Sequence, residues 1–169
     1  MPETGRPDRN PEWSLLEKIL QPLCAVLVLA NLAVLAAVWG SLPVRIPTHF
    51  GASGAADAWG GKGSLLLMPI LMAVMAAGLT LLERFPKIFN FPVEINEKNA
   101  AVLYRLGREL IVVLKTVVVL IFSYIQFQTV EVARNARIGL GGWFLPVTLL
   151  VMFGSIGFYI YLMVRHKDG

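Results

Sequence analysis

Four long apolar runs divide this chain, and the intervals between them are polar and rich in turn-forming residues. The runs predict membrane spans at about residues 20–40, 64–82, 108–128 and 143–164. Each is close to the roughly 20 residues needed to cross a hydrocarbon core. Ser14-Leu15-Leu16-Glu17 has the spacing of a capping box, a hydroxyl for orphan amides and a carboxylate that reaches back. A helix is therefore expected to start there, with Trp13 at interfacial depth. Pro69 and Pro146 fall in the first turns of their spans, where a missing amide costs least. Pro92 makes 89–93 extended. After Asn96, a favourable N-cap, Ala100, Leu103, Tyr104, Gly107, Leu110, Ile111 and Leu114 recur every three or four residues. That spacing predicts one long helix that begins in water and continues into the third span.

The pattern gives an all-α integral membrane protein: a four-helix transmembrane bundle with an ordered extracytoplasmic loop. It divides into a polar tail at 1–13, expected to be disordered, a single four-span domain at 14–164, and a short tail at 165–169. Composition agrees. Hydrophobic residues make up 56% of the 169 and charged residues 15%, against about 45–50% and about 25% in soluble domains. The net charge of +4 is not organised as a basic, aromatic-interleaved patch, so nucleic acid is not an expected partner. The lipid bilayer is. Cys24 lies inside an apolar run and reads as a packing residue.

Charge placement sets the expected orientation. Arg6, Arg9, Lys18, Arg84, Lys87, Lys98, Arg105, Arg108, Arg165 and Lys167 fall on one side of the spans; Arg45, Lys62, Arg134 and Arg137 fall on the other. The excess of positive charge predicts cytoplasmic termini and places the 42–62 loop outside the cell membrane.

That loop holds the conspicuous chemistry. Pro43 and Pro47 favour extended backbone, the alternation Leu42, Val44, Ile46 suggests a short strand, and Gly51 and Gly54 allow the chain to turn back. A hairpin-like cap is expected, with Trp59 at headgroup depth. His49 and Asp57 could share a proton, and Ser53 could complete a nucleophilic trio, although no nucleophile elbow accompanies them. Two ligands are fewer than a zinc site needs. Neither catalytic nor metal residues are assigned, and no cofactor is predicted. Two other readings stand beside these: His49 and Asp57 as hydrogen-bonding groups of a turn-rich loop, or as part of a surface that recognises an extracellular peptide. Within the spans, Asn31 is expected to bond across helices. Lys115 is expected to snorkel to the headgroups, since no carboxylate stands deep in any span.

The pattern Leu42-Pro43-x-x-Ile46-Pro47-x-His49-Phe50-x-x-x-Gly54-x-x-Asp57-x-Trp59-x-x-Lys62 resembles the signature loop of the SdpI-like immunity proteins. These protect bacteria from a secreted toxin, the sporulation-delaying peptide. The same loop occurs in a larger, uncharacterised group of bacterial membrane proteins. Asn90-Phe91-Pro92-Val93-x-Ile95-x-Glu97-x-Asn99-Ala100, followed by Tyr104-Arg105-Leu106, is similar to that group's cytoplasmic motif. The resemblance implies a bacterial inner-membrane location, no known catalysis, and toxin resistance or signalling. Pro43, Pro47, His49, Phe50, Gly54, Asp57, Trp59 and Lys62 are then candidates to meet an extracellular peptide or toxin. Asn90, Pro92, Glu97, Asn99, Tyr104 and Arg105 are candidates to hold a cytoplasmic protein partner. The expectation is a non-enzymatic protein that senses, or confers immunity to, a membrane-active peptide. Alternatives are a small transporter or accessory subunit with Asn31 and Lys115 lining a path, and a membrane enzyme using His49 and Asp57.

Overall fold

The computed structural model describes residues 5–135 and 138–169. Four helices carry the fold: α1 (Leu15–Val38), α2 (Leu67–Leu82), α3 (Ala100–Ala133) and α4 (Phe144–Arg165). All four lie in segments long and apolar enough to cross a membrane. Between α1 and α2 the chain forms an antiparallel hairpin, β1 (Arg45–Phe50) and β2 (Ala56–Gly61). The bundle is therefore helical as expected, and its ordered loop is a small two-stranded sheet. Arg137, which enters the charge count above, lies outside the described residues.

Helix α3 organises the rest. It packs against α1, α2 and α4, and strand β1 rests on it. At 1.5 Å per residue its 34 residues span roughly 50 Å, more than the ~30 Å of a hydrocarbon core. Among the described residues, its buried face includes Leu103, Tyr104, Val112, Lys115, Val119 and Gln126. The outer faces of the helices are apolar: Leu29, Val74, Leu150 and Phe153 are all exposed. Glu17, Asn31, Glu83, Asn99, Arg108, Lys115 and Gln126 are buried instead. This inverted distribution suits a molecule whose solvent is lipid, where polar groups need partners inside the protein.

Each end of the bundle has its own apolar core. At the hairpin end, Leu42, Ile46 and Leu65 join Leu35 of α1 and Val130 and Ala133 of α3. At the opposite, terminal end, Leu103 and Leu106 of α3 meet Tyr159 and Met163 of α4 and the extended residues Phe91, Val93 and Ile95. Gly107 of α3 leaves room there for Phe89 and Phe91, whose rings stand about 3 Å from where its Cβ would be.

The capping box at Ser14 forms as expected: Glu17 N donates to Ser14 Oγ (3.3 Å) and Ser14 N to Glu17 Oε2 (2.7 Å). At the start of α3 the cap is shared by two residues. Asn96 Oδ1 accepts from the amide of Asn99, and Asn99 Oδ1 accepts from the amide of Asn96.

Two expectations are corrected. Residues 5–13 form a strap along the terminal end, not a free tail. Arg6 donates to the carbonyls of Lys87 and Phe89, both at 2.8 Å, and Tyr104 Oη donates to the Pro7 carbonyl at 3.0 Å. Composition suggested disorder because the segment has little to bury. Its carbonyls are instead held by donors from distant parts of the chain. Residues 1–4 lie outside the described residues. Lys115 does not snorkel either. It is 1% exposed and its ammonium is fully engaged inside the bundle.

Candidate functional site

The hairpin is shaped by its prolines and glycines. Pro47 is buried and stands opposite Trp59 in the ladder, whose register shifts between Pro47 and His49 and again between His49 and Phe50. At the tip, Gly54 takes a φ of +80°, a conformation costly for any other L-residue. Its amide donates to the Gly51 carbonyl (2.8 Å), and its own carbonyl accepts from Leu140 N (2.7 Å). The tip is thereby latched to the chain entering α4. Gly139 lies so close to the Gly54 carbonyl that a Cβ there would collide with backbone.

The loop's candidate residues divide into two groups. Ile46 and Pro47 face inward, and Phe50 is half-buried. Lys62 is also held in: its amide donates to Val44 O, its ammonium to Trp39 O (3.4 Å), and it stands 5.2 Å from the centre of the Trp39 ring. His49, Asp57 and Trp59 face out, as does Pro43. His49 Nδ1 and Asp57 Oδ1 are 2.6 Å apart in an exposed pair. Ser53 does not join them; its hydroxyl accepts from Ala55 N. Among the described residues, no group of three His, Cys, Asp or Glu is placed to hold a metal ion.

Beside the tip lies an open cavity of about 670 Å³, walled by Gly54, Tyr124, Gln128, Gly139 and Trp143. Tyr124 stacks on Phe144 and meets Trp143 edge-on, at centroid distances of 5.2 and 5.3 Å. Gln128 Nε2 donates to Tyr124 Oη (2.7 Å), which donates to the Leu140 carbonyl (2.8 Å). That chain of donors fixes the amide's orientation and leaves Gln128 Oε1 buried without a donor among the described residues. The sheet is two-stranded, so β2 keeps one edge without a strand partner among the described residues. It can accept another extended segment.

A second polar feature runs along the contact between α1 and α3. At the terminal end, Arg108 Nε and Nη2 donate to the two oxygens of Glu17 (2.9 and 3.2 Å), with both side chains almost wholly buried. The same guanidinium donates to the carbonyls of Pro11 and Glu12. Next, Lys115 Nζ donates to Gln21 Oε1 (2.6 Å), Thr80 Oγ1 (2.8 Å) and Glu83 Oε1 (2.9 Å). Cys24 Sγ lies 3.2 Å from Thr116 Oγ1. Asn31 Nδ2 donates to Ser123 Oγ (2.7 Å), the expected interhelical bond, and Gln126 Nε2 donates to the Asn31 carbonyl (2.9 Å). Only Asn31 and Lys115 stood out as intramembrane polar residues in the sequence. The others had a signal, since Glu17, Gln21, Cys24 and Asn31 share one face of α1 and Arg108 and Lys115 are seven apart on α3. Glu83 had none, because it follows α2 in sequence and only packing carries it to Lys115.

The 90–105 motif ties the terminal end together. Asn99 is buried and donates to the carbonyls of Glu94 (2.9 Å) and Lys167 (2.6 Å). Tyr104 is buried against Phe91 and the N-terminal strap. Glu97 pairs with Arg9 at 3.0 Å in an exposed contact. Asn90, Pro92 and Arg105 are exposed, and Asn90 and Pro92 border an apolar cavity of about 590 Å³ between α3 and α4.

Residues 26–73, from the middle of α1 through the hairpin into α2, match the model of a domain of unknown function, DUF1648. An uncharacterised protein of Archaeoglobus fulgidus is 32% identical over 77 residues, a match covering 37% of this chain and 42% of that protein. The chain thus spans less than half the length of the curated relative it matches. No solved structure matches. Fold and comparisons together define a multi-pass membrane protein carrying a DUF1648-like segment.

Proposed function

We propose that the chain is a non-enzymatic receptor of the bacterial cell membrane, and that it senses or neutralises an extracellular membrane-active peptide at the hairpin. The observation that carries this is the edge of β2 beyond the Ala55–Gly139 bridge, which has no strand partner among the described residues, with exposed Trp59 and Asp57. An extended peptide could add to that edge through main-chain hydrogen bonds, with side-chain pockets supplying specificity. The neighbouring cavity offers such a pocket, and Gln128 Oε1 in its wall has no donor among the described residues. Two further points support it. The resemblance to SdpI-like immunity proteins centres on this loop, and the Lys and Arg bias favours an outward-facing loop. In this reading His49 pairs with Asp57 to stiffen the exposed face, and the terminal end is the side from which a cytoplasmic partner is engaged. Deleting the gene should raise sensitivity to at least one membrane-active peptide, and wild-type protein but not Trp59→Ala should restore resistance. Unchanged sensitivity across a broad peptide panel, with expression confirmed, defeats the proposal.

One observation favours transport as a second reading: Glu83 supplies Lys115 with the carboxylate that the sequence did not place at its depth. In reconstituted vesicles, Lys115→Leu should then abolish ion or proton flux while the helical content persists. Equal flux in wild type and variant removes it.

A further inference from the structure

A cavity of about 620 Å³ opens between α1 and α2. Along most of its length the walls are apolar and small, with Ala25, Val28, Ala73 and Ala77 among them. At the terminal end its lining turns polar: Gln21, Thr80, Lys115 and Arg84. Gln21, Thr80 and Arg84 also line a smaller cavity of about 210 Å³, together with Glu17, Glu83 and Arg108. The two spaces thus share a polar wall.

The charges lining these cavities do not cancel. Arg108 is matched by Glu17, and Lys115 by Glu83. Arg84, just beyond α2, is exposed, and among the described residues its guanidinium has no hydrogen-bond or ion-pair partner. Three cations and two carboxylates leave one positive charge at the mouth of an apolar groove. Glu83 Oε2, in the wall of the smaller cavity, is buried without a donor among the described residues. A guanidinium presents a planar fork of donors that suits a phosphate. The surrounding bilayer supplies one kind of molecule that fits both the groove and the charge.

We propose that the α1–α2 groove is a binding site for a single anionic phospholipid, its phosphate on Arg84 and an acyl chain between Ala25 and Ala77. The site is separate from the hairpin and does not depend on the peptide proposal. Small side chains keep the groove open, and the excess positive charge selects the headgroup.

The test uses the full chain, purified in a neutral detergent and titrated with phosphatidylglycerol, with phosphatidylcholine of identical acyl chains, or with glycerol phosphate alone. Retained lipid is counted by native mass spectrometry, and thermal unfolding is followed in parallel. Wild type should retain one phosphatidylglycerol, with at least about a fivefold preference over phosphatidylcholine, the scale of one basic residue at a membrane surface. Arg84→Gln should lose the preference and Arg84→Lys should keep most of it. Ala77→Leu, which fills the groove, should reduce retention of both lipids without lowering the melting temperature of lipid-free protein. Equal retention of both lipids by wild type would mean annular lipid only and overturns the site. So does wild-type preference in Arg84→Gln, and so does stabilisation by glycerol phosphate alone, which would mark a free-anion site. Should Arg84→Gln fail to fold, Arg84→Lys and Ala77→Leu decide the matter.

Discussion

The two ends of the bundle handle polar groups in opposite ways. At the hairpin end, His49 and Asp57 meet on the open face of a small sheet, where water competes for every hydrogen bond. At the terminal end, Glu17, Arg108, Lys115 and Glu83 are buried between helices, each held by more than one hydrogen bond. A surface pair contributes little because its charges are already solvated and screened. A buried pair costs much desolvation, and what it gains depends on both partners staying in place. The difference teaches that the loop with the most visible chemistry is free to change its contacts. The less visible α1–α3 seam is what the fold cannot lose.

The comparison can be broken most directly at Arg108. Arg108→Met leaves Glu17 buried and unpaired, and also strips donors from Pro11 and Glu12. The expected loss is about 3–5 kcal/mol in denaturant or thermal unfolding in detergent. Adding Glu17→Gln should return part of it, and a double mutant as unstable as the sum of the singles contradicts the coupling. Lys115→Met should cost somewhat less, about 3 kcal/mol, because Gln21 Nε2 still donates to Glu83 Oε1 at 2.7 Å. Asn31→Leu removes one interhelical bond in the middle of the seam and should cost about 1 kcal/mol. The smallest effect is expected at the other end: Asp57→Asn should change stability by less than about 1 kcal/mol yet reduce protection against the peptide. If Asp57→Asn destabilises more than Asn31→Leu, the hairpin is a structural keystone and the contrast fails.

Much of this was legible from residue order. The four spans, the Ser14 capping box, the long third helix and the hairpin-like loop follow from periodicity, turn residues and run length. Those are local properties that each segment carries with it. Asn31 was legible for the same reason, because an amide in hydrocarbon needs a partner and a neighbouring helix is the nearest source. The fate of the 5–13 strap was not, since its order comes from Tyr104, Arg108 and the 87–89 carbonyls, all far away in sequence. Lys115 was misjudged because its carboxylate partner follows α2, 32 residues earlier.

By itself the sequence determined that this chain lies in a membrane, how many times it can cross, and that a proline- and glycine-shaped hairpin caps one end. Hydrophobic run length and backbone restriction act within a segment and need no partner to be effective. Only the tertiary structure decided which polar groups meet: Glu17 with Arg108, Lys115 with Glu83, the hairpin tip with Leu140, and Arg84 with no partner among the described residues. Those pairings join residues from distant parts of the chain, so they come into being only when the helices pack around α3.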